Sequence, residues 1–210
     1  MGCLICNRTY CSVRLTTTAE PKRAGMDPIT GAATRFRYGG CAGMDRIVAT
    51  GLNDLMKAAG LTHGGFYKHF ASKDQLVAEA TSAALDTLLE GMAAHPTTSA
   101  AVAAYLSVRH RDNPASGCPL AALGGELARS NKKARAAATA GFVRLVDILA
   151  EKAATADARR RALVAAATMI GAVTMSRVLT DPGLSAEILR AAEESLAADQ
   201  SAGDLGRSSC

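Results

Sequence analysis

The sequence predicts an all-α fold, and three observations carry that prediction. Apolar residues make up 49% of the 210 positions, yet aromatics are only 4% and Trp is absent, so the apolar mass is Ala, Leu, Val and Met. Those side chains lose little freedom on entering a helix, whereas a sandwich or barrel leans on aromatic and β-branched residues. Apolar residues also recur at i, i+3 and i+4 from about residue 50 to residue 198. Two short segments of this kind meet at Gly60, the outline of a helix-turn-helix.

Residues 1–45 stand apart, with four of the six cysteines, many Thr and Gly, and no helical period before Ile29. The run Ile29 to Arg37 puts Ile29, Ala32, Ala33 and Phe36 on one face, and Gly39, Gly40 and Gly43 end it. Residues 46–93 form the next unit. Thr50 or Gly51 caps a helix Leu52 to Ala59, with Leu52, Leu55 and Met56 inward, and Gly60 stops it. Thr62 opens a second helix to about Phe70 anchored by Leu61, Phe66 and Phe70. Ser72 caps a long helix from Lys73 whose inward stripe is Leu76, Val77, Ala80, Ala84 and Leu88.

Residues 94–200 make the third unit. Its first helix is expected from Thr98 to about Arg111, with Val102, Tyr105, Leu106 and Val108 inward, broken by Asn113-Pro114-Ala115-Ser116-Gly117. Pro119 suits the first turn of a helix to about Ser130. Lys133 to Ala154 follows, with Phe142, Leu145, Val146 and Leu149 at helical spacing. Asp157 caps a helix to about Thr180, Asp181-Pro182-Gly183 turns the chain, and Ser185 to Ala198 is the last helix, with a fraying tail beyond it.

Charge and cysteine usage narrow the function classes. Lys plus Arg number 24 against 19 Asp plus Glu, a net charge of +5, which permits a nucleic-acid partner. No window holds the roughly 18 unbroken apolar residues of a membrane span, and Arg8 and Arg14 interrupt any secretory leader. Met1-Gly2 lacks the Ser or Thr of a myristoylation signal, having Cys6 there. These features predict a cytoplasmic chain with no membrane partner. Cys3, Cys6 and Cys11 have only the distant Cys41 as a fourth ligand, so no zinc site, metal or cofactor is expected.

The helix after Gly60 is too polar on one side for a core element. It turns Thr62, His63, Tyr67, Lys68 and His69 outward, and Gly64 with Gly65 leaves that surface open. Such a helix can enter a major groove closely and read base edges, while Tyr67, His69 and Lys73 suit phosphates, as does the amino end of the helix at Lys73. The stretch Ala59-Gly60-Leu61-Thr62, Phe66-Tyr67-Lys68-His69-Phe70 and Ser72-Lys73 with Leu76 closely resembles the DNA-binding end of tetracycline-repressor (TetR) type regulators. Tyr105-Leu106-Ser107, His110 to Pro114, Gly117 to Leu123 and Thr180 to Ser185 resemble the ligand-binding half of one branch, so the likeness covers roughly residues 50–195.

That resemblance implies a three-helix head on a helical ligand-binding and dimerisation bundle. It implies a homodimer that binds a palindromic double-stranded operator, acts as a repressor, and is released by a small-molecule inducer. Asn53, Thr62, His63, Gly64 and Gly65 would lie at or near bases, and Tyr67, Lys68, His69 and Lys73 at the backbone. Tyr105, Cys118, Phe142 and Met169 are the candidate ligand contacts, and Ala165, Ala166, Ile170, Val173 and Leu189 the candidate dimer seam. The departure is at the front: only Ile29 to Arg37 resembles the bracing first helix, with Pro28 and Gly31 intruding.

Alternatives remain at this stage. The same lineage also allows a dimeric ligand-binding protein with an impaired head. Cys118 at a helix start suggests an oxidant sensor or, with His110, a thiol enzyme, against a small buried side chain filling space. His110-Arg111-Asp112 lacks the downstream Asn and glycine loop of a kinase, so no catalytic residue is assigned. The Arg159-Arg160-Arg161 run reads as a solvated helix end.

Overall fold

The computed structural model describes Leu52, Met56, residues 63–150 and residues 156–205, with the surroundings of residues 63, 65, 115, 156 and 199–205 outside that set. The expectations for Ile29 to Arg37, for most of Leu52 to Ala59, and for Asn53, Leu61 and Thr62 fall outside the described residues. Among the described residues the regular structure is helical: α1 His63–Phe66, α2 Lys73–Ala93, α3 Thr98–Tyr105, α4 Val108–Asp112, α5 Pro119–Ala128, α6 Lys132–Leu149, α7 Ala156–Val178 and α8 Pro182–Leu205. A single 3-10 turn, Pro114–Ser116, joins α4 to α5.

Local chemistry starts the helices where the sequence puts small polar residues. The Ser72 hydroxyl accepts from Gln75 N–H, and the Gln75 side chain reaches back to accept from Ala71 N–H, a reciprocal cap on α2. The Thr97 hydroxyl accepts from Ala100 N–H at the start of α3, a one-way cap, and Asn131 accepts from the amides of Lys133 and Ala134 at the start of α6. The helix expected over Thr98 to Arg111 is two helices. Ser107 sits extended and caps α4 through His110 N–H, which turns the chain and leaves Val108 exposed rather than inward. Helix α6 ends at Leu149, short of the expected Ala154, while α8 begins at Pro182 and runs to Leu205, past the expected fraying point.

Three apolar clusters hold these helices together. Phe66, Phe70 and Met56 close a small head core on Leu76 and Ala80 of α2, with the two Phe rings stacked at 5.5 Å. Burying each of the large side chains contributes about 1.5–3 kcal/mol. The main core gathers Leu89 and Met92 of α2 with Tyr105, Cys118, Leu145, Val146, Met169, Val173 and Leu189. A third cluster, Val77 of α2, Leu127 of α5 and Ala134 of α6, lies between them. Helix α2 therefore belongs to all three.

The most extensive pairing is α2 with α6, followed by α7 with α8 and α6 with α7. Gly141 permits the first: a Cβ there would sit 3.0 Å from Cβ and Cγ of Leu85 and would also strike Leu85 Cδ1. Arg144 of α6 pairs with Asp86 of α2 beside that contact. Helix α7 is long and apolar enough in composition to cross a membrane, which a search for unbroken apolar runs misses because its charges gather at its ends; a third (33%) of that stretch is buried in the fold.

Replacing Gly141 by Ala is expected to destabilise the chain by about 1–3 kcal/mol, the usual cost of overpacking. Urea unfolding checks this, and Leu85→Ala in the same chain is expected to recover part of the loss. Equal stability of Gly141→Ala and the parent would contradict the close α2–α6 contact.

Candidate nucleic-acid interface and regulatory core

The head presents a polar ridge built on a buried aromatic floor. Phe66 and Phe70 face inward at 0% and 2% exposure, which forces Tyr67, Lys68 and His69 between them onto the surface, Tyr67 at 60%. The backbone turns tightly here, with His69 and Phe70 amides both donating to Phe66 O at 3.0 Å. Lys73 is half-buried at the first turn of α2, where backbone N–H groups point outward. Gly64 is exposed in α1, and a Cβ added to it would meet nothing within 4 Å. Among the described residues nothing demands a glycine there. His63 and Gly65 lie in α1 with their surroundings outside the described set, as do Asn53 and Thr62 altogether.

The second site lies where α3, α4, α5 and α7 meet. The Cys118 amide donates to His110 Nε2 at 2.8 Å, so that nitrogen is unprotonated and the ring proton is on Nδ1, which donates to Tyr105 O at 2.6 Å. Burial, and then the nearby Arg177 charge, lower the His110 pKa, opposed by its bond to the Tyr105 carbonyl. Gly117 makes this possible, because a Cβ on it would lie 2.5 Å from His110 Nε2. Arg177 donates from Nε to Arg111 O at 2.9 Å and from Nη2 to His110 O at 2.8 Å, which closes the carboxyl end of α4. Ser185 Oγ takes a bond from Arg111 Nη1 at 3.1 Å and donates to Ser176 O at 2.6 Å, tying α8 to the same junction.

This geometry bears on the two cysteine alternatives. Both ring nitrogens of His110 are committed to backbone groups, so His110 has no lone pair with which to take the Cys118 proton. The thiol is fully buried, and burial pushes its pKa up against the pull of the Tyr105 hydroxyl, the Ala121 and Leu120 amides and Arg177. A buried neutral thiol is a poor nucleophile and a poor target for oxidants.

Of the candidate ligand contacts, Tyr105, Cys118 and Met169 share the main core, and Phe142 packs half-buried against it. Arg177 escaped sequence reasoning; its one signal is a cation inside the apolar run of α7. The expected dimer seam needs correction. Ala166 and Val173 are 0% exposed and Leu189 is 3% exposed, all three in this chain's own core, so they offer no surface to a partner; Ala165 and Ile170 are half-buried. Helix α7 is apolar nearly all round, so its period did not say which side faces inward. The outward stripe is Val164, Ala167, Gly171, Met175 and Val178, matched on α8 by Leu184, Ala191, Ser195 and Ala198.

The family model for bacterial regulatory proteins of the tetR family matches residues 47–80, and that for the C-terminal domain of LmrA/YxaF-like transcriptional regulators matches residues 83–194. Solved structures share the fold. Escherichia coli NemR in its reduced form is 17% identical with a TM-score of 0.64, over 80% of this chain and 93% of that one. A TetR regulator of Chloroflexus aurantiacus is 28% identical at 0.60, over 81% and 90%. Bacillus subtilis FadR in complex with stearoyl-CoA is 20% identical at 0.56, over 80% and 96%. No curated protein matches the chain.

The His110 junction predicts an acid-sensitive fold. His110 is held neutral below its ordinary value of 6.5, while the unfolded chain takes up that proton. The unfolded state thus binds more protons, and stability present above pH 6.5 is lost as pH falls below it. Arg177 and the exposed Asp112 are the charges acting on this junction, and Asp112, with its pKa lowered by its bond to Arg111, stays ionised across that range. Urea midpoints at pH 7 and at about pH 5.5 are expected to differ more for the parent than for His110→Gln. Identical pH dependence in the two proteins would contradict the assignment.

Proposed function

We propose that this chain, which belongs to the tetR family of bacterial transcriptional regulators, acts in the cytoplasm as a homodimeric repressor that leaves a palindromic operator when a small molecule binds its C-terminal half. Helix α1 enters the major groove, with His63, Gly64 and Gly65, and the preceding Asn53 and Thr62, at or near bases. Tyr67, Lys68, His69 and Lys73 contact phosphates on either side. The observation that carries this reading is Gly64: an exposed helical glycine, whose missing side chain would meet no atom of the described residues within 4 Å, is explained by a partner that approaches the backbone closely.

The dimer forms through the outward stripes of α7 and α8. Their small residues let helices approach closely, and Val164, Met175, Val178 and Leu184 supply apolar area that is uncovered in the single chain. Four helices, two from each copy, make the seam, and the two heads then address half-sites one helical turn apart or a multiple of it. The complex of FadR with stearoyl-CoA supports the idea that a protein of this fold takes a small ligand. A ligand acts on DNA only through its different affinity for two head arrangements. Helix α2 is the natural lever, since its first half packs in the head and its second half in the core.

Gly64→Leu is expected to leave thermal stability within about 1 kcal/mol of the parent and to abolish binding to duplexes that the parent selects from a random pool. Loss of folding together with binding, or retention of binding, would remove the argument. Lys73→Ala is expected to weaken every duplex alike, and His63→Ala to relax the choice among them. Met175→Glu is expected to give a folded monomer by light scattering and circular dichroism, whereas Ala166→Glu unfolds the chain. A Met175→Glu protein that is still dimeric would place the seam elsewhere.

A further inference from the structure

The junction of α3, α5 and α7 holds two buried hydrogen-bond donors that no oxygen or nitrogen among the described residues accepts from. Arg177 uses Nε and Nη2 on the carbonyls of Arg111 and His110, but Nη1 is buried and has no partner among the described residues. The Tyr105 hydroxyl is buried and meets only the Cys118 sulfur, a weak acceptor, with no oxygen or nitrogen partner among the described residues. One of these groups carries a full positive charge. Asp112, whose field reaches Arg177, is bonded to Arg111 at 2.7 Å instead.

Capping the carboxyl end of α4 uses Nε and Nη2 of Arg177 and leaves Nη1 over. A buried water would satisfy the hydroxyl but would leave the charge without a counterion. The α4 carbonyls compensate that charge only as dipoles.

We propose that Tyr105 Oη and Arg177 Nη1 are the head-group end of the ligand site, and that the ligand is a small carboxylate with an apolar body. This rests on the reading of the C-terminal half as ligand-binding. Two donors match two oxygens, and one cation matches one negative charge; a phosphate brings a third oxygen and up to a second charge that nothing there meets. The apolar body fits the surroundings, since Met169 belongs to the same core as Tyr105 and Phe142 lines its edge. The site also touches a path to the head. Cys118 precedes the 10-residue α5, whose far end places Leu127 against Val77 of α2.

The test uses the full chain with benzoate and hexanoate, each beside its neutral amide, followed by calorimetry and thermal melting. Both carboxylates are expected to bind at least about tenfold more tightly than their amides, as for a hydrogen-bonded charge. Tyr105→Phe is expected to weaken carboxylate binding about tenfold while its melting temperature stays nearly level, because the buried hydroxyl it removes has only a weak sulfur acceptor. Arg177→Gln is expected to abolish the preference for acid over amide; if that protein fails to fold, Tyr105→Phe decides alone. Equal affinity for acid and amide, unchanged carboxylate binding in Tyr105→Phe, or no binding of either acid at about 10 mM would overturn the proposal. A chain that binds its selected duplex but no carboxylate loses this inference and keeps the regulator reading. A chain that binds carboxylate through Tyr105 but no duplex does the reverse.

Discussion

One helix shared among three apolar clusters is the constraint on which the rest depends. Leu76 and Ala80 of α2 are packed under Phe66 and Phe70, Val77 contacts Leu127 and Ala134, and Leu89 and Met92 lie in the main core. At 21 residues α2 is roughly 30 Å long, so its ends report on surroundings far apart. Close-packed interiors do not deform smoothly; they switch between discrete arrangements. The Gly141–Leu85 contact, with no room for even a methyl group, sets α6 directly onto α2. A rearrangement of the core would therefore be felt at the head through this helix, which is the route the proposed function needs.

The polar junction explains how such a core can be both rigid and responsive. His110, neutral and bonded at both nitrogens, clamps the Tyr105 carbonyl to the start of α5, and Arg177 clamps α4 to α7. These bonds satisfy backbone groups that two short helices leave open. The donors left over at Tyr105 and Arg177 are of another kind, since no backbone group takes them up.

Much of this was legible locally. Ser72 followed by Gln75, with Leu76, Val77 and Ala80 behind them, specifies the start and inward side of α2 through short-range spacing, and Phe66 and Phe70 at i, i+4 specify the head core. Where the sequence misled, a tertiary choice decided. Leu106-Ser107-Val108 reads as helix by period, but Ser107 capping α4 competes with continuation and wins because it delivers His110 to Cys118. The seam residues Ala166 and Val173 were placed on the wrong side because α7 offers apolar residues in every direction, and only burial by α6 and α8 tells the faces apart. Arg177 shows in the sequence only as a cation in an apolar run, and nothing local says what it holds, because its partners are 66 and 67 positions away.

The most direct measurement of the central claim is a distance. Nitroxide labels at position 68 of both copies, in a background without other reactive thiols, report the separation of the two heads by pulsed dipolar spectroscopy. With a selected duplex bound, the account predicts a narrow distribution near one helical repeat, about 34–36 Å, or near a multiple of it, and a broader one without DNA. The absence of any dipolar coupling, or a distribution that DNA leaves unchanged, would contradict it.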